Sequence, residues 1–342
     1  MTTGRHTGPG RGDPAPTGSG EPGPGGVPGA ADPEPPGRIW PEHLRPGRVS
    51  EVAPGVRRVI APNPGYMTGP GTNTYLVGGD RLALLDPGPD DDAHLDCLLE
   101  TAGDRLLWIL VTHTHVDHAP LSTRLAERTG AEVIAFGPPP RPGPGGQGGD
   151  AHYAAFAAHR LFADGDRLDG GDFVIEAVHT PGHTSNHLCF ELVDQRLLFS
   201  GDHVMDGSTV VIAPPDGDMA TYMESLQKVR ARTTRRIAPG HGDMIDDPAA
   251  VLDEYLRHRR GREAEVLSVL APGVQRGINS EVIVDLIYQD LGEELRKVAR
   301  LTVWAHLRKL GSEGRASTPD RDDPEAPWYL APPAAAREPE IF

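Results

Sequence analysis

The chain of 342 residues carries 49 acidic against 33 basic side chains, for a formal net charge of −16 and a pI near 5.3. That balance argues against a broad basic surface for nucleic acid while leaving room for a local patch, and the length suits one large domain plus a small one. No apolar run approaches the roughly 18 residues of a membrane span, and the first residues lack the apolar centre of an export signal, so no membrane association and a cytoplasmic location are expected.

Residues 1–37 are Gly, Pro, Ser and Thr with scattered charges. Nothing there can bury enough apolar surface to offset chain entropy, so a disordered tail is expected. From residue 48 short strand patterns begin. Residues 56–60 form one, and 74–77 pairs with 81–85 across Gly78-Gly79 as a hairpin. The Gly/Pro-rich stretch 63–73 lies between them, and its composition fits a fixed loop or a mobile one. Asp86-Pro87-Gly88 ends the strand. Residues 91–102 place Ala93, Leu95, Leu98 and Leu99 at helical spacing, an amphipathic helix over the sheet. Cys97 in this helix, and Cys189 further on, read as buried thiols rather than as a disulfide or metal ligands.

Residues 106–111, Leu-Leu-Trp-Ile-Leu-Val, read as a buried strand. The strand runs into His113-Thr114-His115-Val116-Asp117-His118, which packs four metal-capable side chains into one turn. Residues 119–130 then read as a short helix closed by glycine. Alternation points His113 and His115 to one side and Asp117 and His118 to the other, so one metal per side is expected. Imidazoles with a carboxylate suit Zn2+. A strand over 131–136 precedes a second Gly/Pro-rich loop, 137–150, which reads either as a lid over the site or as a surface insertion. His152 and His159 receive no role. Residues 162–168, 173–178, 187–192 and 196–199 continue the strand series. Three further turns bear ligand candidates at strand ends: His179-Thr180-Pro181-Gly182-His183, Ser200-Gly201-Asp202-His203 and Pro239-Gly240-His241. Four strand ends therefore deliver His or Asp to one rim. Asp218 caps a helix over 219–229.

From about residue 253 the character changes. A charged helix covers 254–270. A second, capped by Asn279 or Ser280, has Ile283, Leu286 and Ile287 on one face. A third carries Leu295, Ala299, Val303, Leu307 and Leu310 at steps of three and four. Segments 314–317 and 328–330 flank an acidic turn, as in a hairpin. Three helices and a hairpin read as a winged-helix-like module over 253–331, with a flexible tail over 332–342. Arg257, Arg259, Arg260 and Arg262 form its basic run. Two roles are open for it: packing on the larger domain or forming a homodimer, and direct contact with nucleic acid.

The order and spacing of these motifs resemble the metallo-β-lactamase superfamily over residues 49–247. The resemblance implies an α/β fold, a four-layer αββα sandwich over 48–250, with two Zn2+ per chain at one edge between the sheets. It implies that His113, His115 and His183 bind one zinc, that Asp117, His118 and His241 bind the second, and that Asp202 bridges them. His179 and His203 are left as packing or outer-shell groups. His187 is weighed as a substrate contact against ordinary packing. The stretches Asn63-Pro64-Gly65, Gly71-Thr72-Asn73-Thr74-Tyr75-Leu76-Val77-Gly78 and Asp218-Met219-Ala220-Thr221-Tyr222-Met223-Glu224-Ser225-Leu226 are similar to a subgroup called β-lactamase-like protein 2, an endoribonuclease in animals. So is the C-terminal module opening with His258-Arg259-Arg260. Fungal relatives of that subgroup act as thioesterases on carrier-bound acyl chains.

The function this implies is a dinuclear zinc metallohydrolase that cleaves single-stranded RNA through a metal-bridging hydroxide, with Asp117 as the catalytic group that orients it. The alternative is a thioester hydrolase of the glyoxalase II or acyl-carrier type, acting on a small thioester. A non-catalytic nucleic-acid-binding protein is the third reading. With RNA as the partner, the 257–262 basic run, together with Lys297, Arg300 and Arg308, would hold phosphates.

Overall fold

The computed structural model describes residues 40–137, 157–270 and 277–332. The expected tail 1–37, nearly all of the 137–150 loop, His152 and the end beyond residue 332 lie outside the described residues.

Strands β1 (Val49–Ala53), β2 (Val56–Ile60), β3 (Asn73–Val77) and β4 (Leu82–Leu85) make an antiparallel meander. To β4 are added β5 (Leu106–Leu110), β6 (Glu132–Ala135) and β7 (Arg160–Leu161), all in parallel. Parallel neighbours need a crossover, and helices α1 (Asp92–Ala102) and α2 (Leu121–Thr129) supply two of them. The second sheet pairs β8 (Arg167–Asp169), β9 (Val174–His179), β10 (Leu188–Leu192) and β11 (Leu197–Gly201) antiparallel. Helix α3 (Met219–Arg230) then carries the chain to β12 (Arg236–Pro239), parallel to β11.

The strand over 106–111 carries no polar alternation because both of its faces are covered. Trp108 and Leu110 point between the sheets, among Tyr75, Phe190 and Phe199, and Trp108 meets Phe173 edge-on at 6.2 Å between centroids. Ile109 and Val111 point outward, under Leu95 and Leu98 of α1 and Leu121 and Leu125 of α2. The outer face of the second sheet is covered in the same way by Tyr222 and Leu226 of α3. Helix, sheet, sheet, helix is thus the expected four-layer order.

Within the sandwich two expectations are corrected and one strand is added. Residues 162–168 are not one strand. β7 ends at Leu161, a turn over 163–166 follows, and β8 starts in the other sheet. Gly165 takes φ +84°, and the Asp166 side chain accepts from the Ala163 N–H at 2.7 Å, so the local chemistry is that of a turn. In α1 the Asp91 carboxylate caps the helix by accepting from the His94 N–H at 2.8 Å. Its buried stripe is His94, Leu95, Leu98 and Ala102, with Ala93 left in solvent. β1 escaped the reading because it is an edge strand, with no fully buried residue and a bulge between Glu51 and Ala53.

Helix α4 (Pro248–Val269) begins earlier than expected, with Asp247 as its cap and proline in its first turn. The division expected at 250–253 therefore falls inside one continuous helix. The near half of α4 packs Leu252, Tyr255 and Leu256 against α3. The far half places Val266 in a separate core with Ile283, Val303, Leu307, Leu310 and Trp328. That core joins α5 (Ser280–Ile287), α6 (Glu293–Ser312) and the hairpin of β13 (Ala316–Ser317) and β14 (Tyr329–Leu330) in a winged-helix arrangement. Asn279 is the α5 cap, accepting from the Val282 N–H at 3.1 Å. Leu286, expected on the buried face, is 57% exposed, and Val284 packs instead.

The basic run on α4 does not form one surface. Positions 255, 259, 262 and 266 share a helix face, and that face is buried. The Arg259 guanidinium lies over the Tyr222 ring at 5.3 Å and donates to the Val210 carbonyl. Arg262 lies over Tyr288 at 4.3 Å and pairs with Glu265. Arg257 and Arg260 stay exposed, the former paired with Glu254. On the wing side Arg300 pairs with Glu325 and Arg308 with Asp322. Among the described residues no helix is long and apolar enough to cross a membrane.

Candidate metal centre

Four strand ends meet at one edge of the sandwich. The turn after β5 brings His113, His115, Asp117 and His118. The turn after β9 brings His183, the end of β11 brings Asp202, and the turn after β12 brings His241. All seven residues expected from the sequence converge, and they divide into two sets. In the first, His115 Nδ1 lies 3.0 Å from His113 Nε2 and 3.1 Å from His183 Nε2. In the second, His118 Nε2 and His241 Nε2 are 3.2 Å apart, with Asp117 Oδ2 at 3.4 and 3.2 Å from them. Asp202 stands between the sets. Its Oδ2 faces His183 Nε2 at 3.6 Å, and its Oδ1 lies 3.3 Å from both His118 Nε2 and His241 Nε2.

The far sides of the imidazoles are anchored. His118 Nδ1 lies 2.9 Å from Asp86 Oδ2. Thr112 donates its hydroxyl to the same oxygen at 2.8 Å, which leaves Thr112 Oγ1 to accept from His113 Nδ1 at 3.0 Å. His183 Nδ1 donates to the Val211 carbonyl at 2.7 Å, and His241 Nδ1 to the Gly71 carbonyl at 3.3 Å. Each of these rings is thereby turned to present Nε2 inward, the orientation that metal-ligating histidines need. Asp202 Oδ1 is buried without a hydrogen-bond partner. A buried carboxylate oxygen left bare is costly, and a cation between the sets would satisfy it. The donor set of imidazoles and carboxylates therefore fits divalent cations.

The charge states agree. Burial, reinforced by the neighbouring His118 and His115, keeps His113 well below the usual imidazole range. Burial and His183 hold His115 at about 3, and burial lowers His183 as well. The first set is thus neutral, the form that binds a cation. In the second set burial opposes charge, but carboxylates outweigh it. Asp117, Asp202 and Asp86 raise His118 well above its ordinary range, and Asp202 and Asp117 raise His241 to about 9. Burial also opposes charge on Asp117 and Asp202, yet the same histidines hold both carboxyls well below the usual range. Cations binding here would displace those imidazole protons.

Close packing fixes the turns. A Cβ on Gly240 would sit 2.8 Å from Asp202 Oδ1 and 2.9 Å from His118, and one on Gly182 would sit 2.3 Å from the Tyr222 Cα. The 63–73 loop has a fixed shape. Asn63 bridges to the Thr72 N–H at 2.9 Å and to the Thr72 hydroxyl at 3.0 Å, while Asn73 donates to the Pro239 carbonyl at 2.9 Å. The loop ends against the turn that carries His241. The site opens to solvent at Val116, which is 43% exposed, and at Asp117, whose side chain is 24% exposed.

Three histidines have other places. His187 is fully buried and accepts from the Asp202 N–H at 3.2 Å. It stands behind the site, which is the packing alternative weighed for it rather than a substrate contact. His203 is buried edge-on to the Tyr222 ring at 5.4 Å. His179 stacks on Phe136 at 4.2 Å and meets the Ser185 carbonyl at 3.1 Å. The sequence reading missed Asp86, which holds the backs of two ligand candidates. Its signal was a carboxylate at the very end of a strand, and the structure adds φ +50° there, a backbone conformation that few residues other than glycine adopt.

The metallo-beta-lactamase superfamily model matches residues 67–241, and the model of the beta-lactamase associated winged helix domain matches 280–328. The chain is 32% identical over 299 residues to the Drosophila melanogaster "beta-lactamase-like protein 2 homolog", covering 84% of this chain and 98% of that one. It is 30% identical over 338 residues to the Aspergillus niger "lactamase-like protein adaB", covering 87% and 95%. A crystal structure of a beta-lactamase domain protein from Burkholderia ambifaria superposes with a TM-score of 0.69 at 21% identity, covering 86% and 95%; that likeness is one of fold. With two sheets meeting at a rim of histidines and aspartates, and a winged helix behind them, the chain belongs to the metallo-beta-lactamase superfamily, whose members are usually hydrolases.

Proposed function

We propose that this protein is a dinuclear zinc hydrolase and that its substrate is single-stranded RNA. The observation that carries the hydrolase reading is Asp202, which turns one oxygen to each of two ligand sets and leaves Oδ1 otherwise bare. When bound, a pair of divalent cations lowers the pKa of water towards about 7 and stabilises charge developing on a substrate oxygen. His113, His115 and His183 would hold one zinc, and Asp117, His118 and His241 the other, with Asp202 shared. Asp117 is the more exposed of the two carboxylates and would accept a hydrogen bond from the attacking water, orienting it towards the substrate. The RNA reading is supported by the subgroup likeness, which runs along 98% of the fly relative.

A second reading, hydrolysis of a thioester, is favoured by two observations. Arg259 and Arg262 turn inward, which removes half of the expected phosphate-holding run. Val116 in the metal turn, and Tyr66 and Met67 on the loop that abuts His241, are exposed apolar side chains suited to an acyl group. One experiment separates the readings: purified, metal-loaded protein assayed side by side on single-stranded RNA and on acyl thioesters. Cleavage of RNA with no thioesterase activity supports the proposal. The reverse pattern overturns it in favour of the second reading.

A further inference from the structure

Helix α4 reaches the metal centre through the loop that follows β11 and through Tyr222 of α3. Residues 202–217 lead from Asp202, at the end of β11, to α3, and on the way Val211 offers the carbonyl that anchors His183 Nδ1 at 2.7 Å. Tyr255 and Arg259, four residues apart on one face of α4, hold that loop along its length. The Tyr255 hydroxyl accepts from the Met205 N–H at 3.0 Å and donates to the Ser208 carbonyl. The Arg259 guanidinium donates to the carbonyl of Val210, directly before Val211. The same guanidinium lies over the Tyr222 ring, whose hydroxyl donates to the His203 carbonyl at 2.8 Å. The loop is therefore gripped at residues 203, 205, 208 and 210, between the shared aspartate and the anchor of His183. Arg259 is 1% exposed and Tyr255 4%. Neither side chain is available to substrate, and both are polar groups placed in a core where apolar ones would pack without them.

We infer that Tyr255 and Arg259 are positioning residues for the metal set of His113, His115 and His183. Through α4 they tie the C-terminal domain to the retention of that metal. The far half of the same helix is fixed in the winged-helix domain by Val266, by Arg262 over Tyr288, and by Glu263 with Lys309 at 2.7 Å. A loop loosened at Val210 would let the Val211 carbonyl drift and His183 turn with it. His118 and His241 take their ring anchors from Asp86 and Gly71, outside this loop, and meet it only at its near end, through Asp202 and through Asp206, which accepts from the Asp243 N–H at 3.3 Å. This inference rests on the reading of the His/Asp cluster as a dinuclear metal centre.

The test is competition with a chelator on metal-loaded full-length protein, with metals per chain counted and the melting temperature of the stripped protein measured beside it. The variants are Tyr255→Phe, which keeps the ring and removes the hydroxyl, and Arg259→Ala, with Arg259→Lys as the conservative partner. Loss of an outer hydrogen bond to a ligand typically weakens a metal about 10–100-fold. Tyr255 and Arg259 act one contact further out, through the Val211 carbonyl, so Tyr255→Phe and Arg259→Ala should give up one of two metals up to about 10-fold more readily and hold the other close to the parent's affinity, with Arg259→Lys in between. Variants that hold both metals at parental affinity overturn the inference. So do variants that lose both metals equally, since that is the mark of general loosening. A parent that binds no metal overturns the metal-centre reading instead, and this inference with it.

Discussion

Asp86→Asn changes one atom at the back of the site. The parent carboxylate accepts from the Thr112 N–H through Oδ1 at 2.8 Å, and through Oδ2 it meets the Thr112 hydroxyl and His118 Nδ1 at 2.8 and 2.9 Å. An asparagine keeps the size, and it tolerates the left-handed backbone that Asp86 occupies at φ +50°. One of its two head atoms must be an NH2. If the amide oxygen stays on the Thr112 N–H, that NH2 faces two donors, the Thr112 hydroxyl and the His118 ring. A buried donor left unmatched costs about 1–3 kcal/mol. The Thr112 hydroxyl must then turn, which unseats His113 in one set as His118 loses its anchor in the other. Both metals should weaken together, each by about 10–100-fold, equivalent to about 1.4–2.7 kcal/mol. Chelator competition with metals counted per chain, followed by kcat/KM on the better substrate, measures this. If Asp86→Asn holds two metals as tightly as the parent, Asp86 does not orient the ligands and the account of the anchored rings is wrong.

Other outcomes follow from the same geometry. Asp202→Ala, which removes the carboxylate facing both sets, should abolish turnover, whereas His203→Ala should leave a measurable rate; equal losses in paired kinetics would show that the shared group is misassigned. A chain cut after Asp247 loses Leu252, Tyr255 and Leu256 from the core over the second sheet, so it should aggregate or melt well below the parent, and a soluble truncation with parental Tm and metal content would contradict the role given to α4. If RNA is the substrate, replacing the exposed Arg257, Arg260 and Lys297 with alanine should raise KM for RNA and flatten its salt dependence without altering hydrolysis of a small phosphodiester; an unchanged salt series would shift weight to the thioester reading.

The site was legible because its ligand candidates come in short runs at the ends of apolar strands. His113, His115, Asp117 and His118 occupy a single turn, and each later motif follows its own strand. What was hidden depends on contacts between distant residues. Asp86 lies far along the chain from Thr112, and only the parallel pairing of β4 with β5 brings them together. The arginines of α4 read as a surface because charge clusters usually are one. Their direction depends on Tyr222 and Tyr288, which offer ring faces to Arg259 and Arg262, and a run of letters does not show that. The start of α4 is written in Asp247-Pro248, a cap followed by proline, but the change in charge further along the helix is the louder signal and draws the boundary too late.

The position of α4 also has a consequence for how the protein is made. Chains leave the ribosome N-terminus first, and domains tend to fold as units as they emerge. Every candidate ligand except His241 is in place in the nascent chain before β12 has been synthesised, and the helix that grips the 202–217 loop comes later still. A cation captured earlier would meet His183 on a loop that Tyr255 and Arg259 do not yet hold. On the reading of this cluster as a metal centre, durable metal loading would wait until translation has passed α4, and a polypeptide released before α4 would carry every ligand candidate and hold its ions less firmly.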